Sequence, residues 1–171
     1  MIDLAAAALA AGLVADAVGT FDILFRGWKD VVEKKEPDAR HIPPPDFAYA
    51  DDPEKRAIVA RSRKSGAVYQ SVTYEKLTER LSKGDREYIA TLTNALEDYQ
   101  RQWNLVFSQR PMAGGLELAR LDSQLNYLAR EIANVLLKVL AIVEKMGLRL
   151  DDHYLMARNV AAEYLAEDKS R

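Results

Sequence analysis

Three long segments of this chain carry apolar side chains in alternating steps of three and four residues. The first series runs Leu4, Ala7, Ala11, Val14, Val18, Phe21, Phe25, Trp28, Val32, and the second runs Ile89, Leu92, Leu96, Tyr99, Trp103, Val106. The third runs Leu118, Leu121, Leu125, Leu128, Ile132, Val135, Val139, Ile142, Met146. Such a repeat sets the side chains along one stripe of an α-helix, and that seam has to be covered by a neighbouring helix. The expected fold is therefore mainly α, an up-down helical bundle of four to five helices, with a possible small β-hairpin. One domain over residues 1–171 suits a chain of this length.

The first helix should run from about Ile2 to Lys35, because the residue before Pro37 is pushed out of the helical region. With Leu4 at heptad position a, Asp16 and Asp30 fall at f, opposite the seam, as solvated residues should. Leu9 and Leu13 also lie off the seam, so the first half is apolar nearly all round. That girth implies a central buried helix, an oligomer contact or a lipid contact. A secretory signal is not expected, since Met1-Ile2-Asp3 lacks the positive start such signals carry and the first basic residue is Arg26. Asp16 and Asp22 also interrupt the roughly 20 apolar residues that a membrane span needs.

Residues 37–53 hold five of the six prolines and read as an extended connector pinned to the surface by Phe47 and Tyr49. Residues 57–73 change character, with two β-leaning runs about Lys64-Ser65-Gly66, and read as a hairpin. A short helix capped by Asp52 and ending near Gly66 is the competing reading. The hairpin is preferred because Val68 to Val72 has poor helix chemistry. Thr73 should cap a short helix through Ser82 that Gly84 ends, and Asp85 should cap the second long helix, to about Gln109. The third runs from about Leu116 to Met146, with its second half the most enclosed. Asp151 or Asp152 should cap a last helix to about Glu167.

With 24 basic against 26 acidic residues, no global field exists to attract nucleic acid, and no nucleic-acid partner is expected. The lack of cysteine removes disulfides, thiolate nucleophiles and Cys-ligated zinc, and fits the cytoplasm. Asp151-Asp152-His153 has donors suited to a metal or a general base, but a helix cap explains it more simply. The other histidine, His41, sits in the connector without metal spacing. No Glu-x-x-His motif and no Gly-x-Ser-x-Gly turn occurs, so no catalytic residue, metal ligand or cofactor is expected. Arg56, Arg61, Arg63 and Lys64 read as a solvated hairpin edge, with phosphate or an anionic membrane as the alternative. Trp28 and Trp103 lie on their seams and read as core.

The expected role is thus a non-enzymatic interaction or regulatory module that binds another protein or itself as a homo-oligomer. The alternative is a membrane-acting effector, cytoplasmic and peripherally attached, whose first helix is released to enter lipid. Candidate contact residues for either role are Leu9, Leu13, Phe21, Phe25 and Trp28. In its apolar spacing, residues 4–32 loosely resemble the opening helix of HeLo-type and related bacterial cell-death bundles, which implies the second role.

Overall fold

A computed structural model of the chain describes residues 1–168, and it is mainly helical, 71% helix, with a small three-stranded antiparallel sheet. The helices are α1 (Leu4–Val32), α2 (Tyr74–Arg80), α3 (Lys83–Gln109), α4 (Gly115–Lys145) and α5 (Asp152–Asp168). The strands are β1 (Phe47–Asp52), β2 (Ala57–Ser62) and β3 (Val68–Thr73), in the order β1-β2-β3.

Helix α1 is the hub, touching α2, α3, α4, β1 and β2. Its seam residues Ala7, Ala11, Val14, Val18, Phe21, Trp28 and Val32 are all buried. The alanines let α1 be approached closely from several sides, which is how a helix of such apolar girth finds cover. Asp3 caps it, accepting the Ala6 amide at 2.7 Å. Trp28 is fully enclosed and its indole N–H donates to the Ala129 carbonyl of α4 at 3.0 Å. Gly27, one residue earlier, lets the Trp103 indole of α3 lie directly on the α1 backbone. On α4, Ile132 to Val143 is the most enclosed stretch, with eight buried apolar residues.

Two local expectations are corrected. Residues 37–53 are not a plain connector: Pro37–His41 forms a 3-10 turn and Phe47–Asp52 a strand paired with β2. The prolines flank β1 rather than interrupt it, with Pro43 to Pro45 before it and Pro53 after it, so no ladder donor is lost. Tyr49 is the strand's buried residue and donates its hydroxyl to the Arg149 carbonyl at 2.6 Å. The second correction concerns the start of α3. Ser82, not Asp85, is the cap; Asp85 is the third helical residue and returns the bond in a capping box. Gly84 belongs to that first turn, and α2 ends earlier, where Leu81 turns extended.

The hairpin over residues 57–73 forms as β2 and β3, with a register shift at Ala60/Arg61. Helix α4 stops at Gly147, whose φ of +92° suits glycine. Arg80 of α2 donates to the Met146 carbonyl at 2.7 Å and Gln70 of β3 to the Gly147 carbonyl at 2.5 Å. A cation and an amide thus satisfy carbonyls the helix leaves unpaired, and tie its negative end to α2 and the sheet.

Candidate functional site

The cluster Asp151-Asp152-His153 sits where α5 meets the sheet. Asp151 is the cap of α5: one oxygen accepts the Tyr154 amide at 3.0 Å, and the other accepts the Asp46 and Phe47 amides, each at 2.9 Å. A single buried carboxylate therefore begins a helix and fixes the entry to β1. His153 is 1% exposed and donates from Nδ1 to the Pro43 carbonyl at 2.7 Å, while Nε2 is buried without a partner. Burial pushes its pKa below the ordinary histidine value against the pull of Pro43 and Asp151, so the ring is neutral at pH 7.

Behind it, the buried Tyr154 hydroxyl donates to Asp22 of α1 at 2.9 Å, and Arg63 pairs with Asp22 and donates to the Tyr154 oxygen at 3.2 Å. Burial raises the pKa of both Tyr154 and Asp22, with Arg63 pulling each the other way. Burial opposes charge on Arg63 too, and the bond to Asp22 more than offsets it. The arrangement joins α1, the β2–β3 turn and α5 through one ion pair and one hydroxyl. Elsewhere, burial and the nearby Glu167, Glu163 and Asp38 push the Glu36 carboxyl above the usual range. Among the described residues, no group of three or more His, Asp or Glu is placed to hold a metal ion.

The basic group is mostly committed to structural pairs. Arg56 meets Glu75 at 3.3 Å, Arg61 meets Asp52 at 3.0 Å, and Arg63 meets Asp22.

The five contact candidates are dispersed. Phe21 and Trp28 are buried; Phe25 is half-buried, its ring centroid 5.8 Å from Phe21 and 4.5 Å from His153. Leu13 is half-buried against α3, where its carbonyl accepts the Thr93 hydroxyl at 3.2 Å. Leu9 is 51% exposed and lines a groove of about 400 Å³ with Met1, Ala5, Lys83 and Arg86.

A second groove, of about 330 Å³, runs between α1 and α3 with Trp103 and Gly27 along it, Ile23 and Phe107 beside them, and Arg26 and Asp30 at its rim. Ile23 is 70% exposed and Phe107 41%, and both were missed as candidates. Position f of the α1 heptad holds Leu9, Asp16, Ile23 and Asp30, so an isoleucine on the solvated stripe was the available signal. Across α3, Leu105 and Tyr127 line a third groove of about 420 Å³.

No protein-family model, curated protein or solved structure matches this chain.

Proposed function

We propose that the chain is a non-enzymatic interaction module, an up-down helical bundle that binds another protein along the α1–α3 groove. The observation that carries this reading is Ile23 and Phe107 exposed beside the Trp103 ring. An aromatic floor between apolar walls, with one cation and one anion at the rim, suits the apolar face of an amphipathic helix. The polar groups that first suggest chemistry, Asp151, His153, Tyr154 and Asp22, are spent on joining elements. This reading places the module in the cytoplasm.

The test is cross-linking of the full chain in its native cells, comparing wild type, Ile23→Asp and Leu9→Asp. A cross-linked protein lost with Ile23→Asp and kept with Leu9→Asp supports the groove. Equal recovery with all three, or no cross-linked protein, overturns it.

One observation favours the membrane-acting alternative. By length and composition alone, helix α1 is apolar enough to cross a membrane despite its carboxylates, with a mean hydropathy of 1.8 over its best window, 39% of which is buried in the fold. At its amino-terminal end, exposed Met1 and Leu9 share a groove with Lys83 and Arg86, a pairing suited to an anionic surface. Vesicle flotation of wild type against Leu9→Asp on anionic lipid separates the two readings, because only the membrane role makes flotation depend on Leu9.

A further inference from the structure

Strand β3 ends the sheet on the side away from β1, and its composition, Val68-Tyr69-Gln70-Ser71-Val72-Thr73, contains no charge and no proline. Sheet edges usually carry charge, proline or cover, because a row of unpaired backbone groups accepts any passing strand. The opposite edge has such protection. Prolines precede β1, α1 packs against it, and Asp151 takes its first amides. The basic residues expected to guard the hairpin edge lie instead on the central strand and in the turns, where three are drawn into ion pairs.

The backbone of β3 also has a definite outward row. The Tyr74 amide donates to the Arg56 carbonyl at 2.8 Å, and Val72 and Gln70 lie opposite Ile58 and Ala60. Antiparallel pairs alternate, so Val72 and Gln70 face β2 with their backbone groups while Ser71, and the Thr73 amide, face outward. The register shift at Ala60/Arg61 limits the regular run to Gln70–Thr73, with Tyr69 at its end.

We infer that β3 is a self-pairing edge, joining antiparallel to β3 of a second copy about a two-fold axis at Ser71 and making one six-stranded sheet. A second copy is the occupant because the strand is complementary to itself. About that axis Ser71 meets Ser71, Tyr69 meets Thr73 and Gln70 meets Val72 of the other copy, so no like charges are opposed. Tyr69 lies against Phe47 of β1, the two rings tilted with centroids 5.0 Å apart. This surface shares no residue with the α1–α3 groove, so either can fail alone.

The test is the mass of the full chain in solution, by sedimentation equilibrium over a dilution series from about 1 mM. Wild type should show a monomer–dimer equilibrium. Ser71→Lys should give the monomer mass, with a thermal midpoint equal to that of wild type at dilutions where wild type is monomeric, since Ser71 is exposed and its substitution sets two ammonium groups face to face across the axis. Ser71→Glu should do the same, and an equimolar mixture of the two variants should regain the dimer. Ile23→Asp should dimerise as wild type does. A monomeric wild type at every concentration, a Ser71→Lys dimer like wild type, a mixture that stays monomeric, or a dimer lost with Ile23→Asp would each overturn the inference.

Discussion

Gly27→Ala and Gly19→Ala make the same chemical change in the same helix and should have opposite effects. Both positions are helical, and alanine there gains about 1 kcal/mol over glycine in backbone propensity. At Gly19 an added methyl meets nothing within 4 Å, so the gain should appear as stability. At Gly27 the methyl would sit 2.8 Å from Nε1 of Trp103 and within 3.2 Å of two more indole atoms. Trp103 is 4% exposed, so its ring has to push into the α1–α3 contact. Overpacking of that kind costs about 1 to 3 kcal/mol, which exceeds the propensity gain at its middle value by about 1 kcal/mol. For a chain of this size 1 kcal/mol moves the thermal midpoint by about 2 to 4 °C. Gly19→Ala should therefore raise the midpoint by a few degrees and Gly27→Ala lower it by a similar amount, read by calorimetry or circular dichroism. If Gly27→Ala stabilises as much as Gly19→Ala, Trp103 does not rest on the α1 backbone and the packing argument fails.

Other perturbations have equally definite outcomes. Asp151→Ala leaves three amides without their acceptor, at about 1 to 3 kcal/mol for each that stays buried, and should lower the urea midpoint well beyond Asp152→Ala. Gly147→Ala is doubly penalised, by a φ of +92° and by a methyl placed 1.9 Å from the Arg80 guanidinium, so the loss should exceed 1 kcal/mol and be partly relieved by Arg80→Ala. His153 has a folded pKa below its unfolded value, so the unfolded chain binds the proton first. Its contribution is complete above about pH 6.5 and is lost as pH falls toward the depressed folded value. Stability of His153→Phe relative to wild type should accordingly improve between pH 7 and pH 5, measured by urea titration at each pH; a constant difference would exclude a neutral, buried imidazole.

The helices were legible because their signals are local. Seam spacing, Thr73 and Gly147 place α2 and the ends of the long helices to within a few residues. What escaped depends on tertiary partners. Strand β1 has only Phe47 and Tyr49 to advertise it, and its pairing with β2 and its clamp by Asp151, some hundred residues on, leave no local trace. Ser82 was overlooked as the α3 cap because Asp85 is also a good capping residue, and only geometry separates the two halves of a capping box. The groove residues divide in the same way. Ile23 was visible as an apolar residue at f, but that it flanks Trp103 and Phe107 depends on how α1 meets α3. Phe21 and Trp28 looked available for contact only while the cover of α1 was unknown.

Docking of a partner along the α1–α3 groove requires α1 to remain the enclosed hub of the fold. Amide hydrogen exchange along Val14 to Val32, with and without anionic vesicles, tests that directly. Protection matching the slowest amides of α4 and unchanged by lipid is the expected result. Early exchange across α1, or protection that collapses when vesicles are added, would contradict it and make this helix a released, lipid-seeking element.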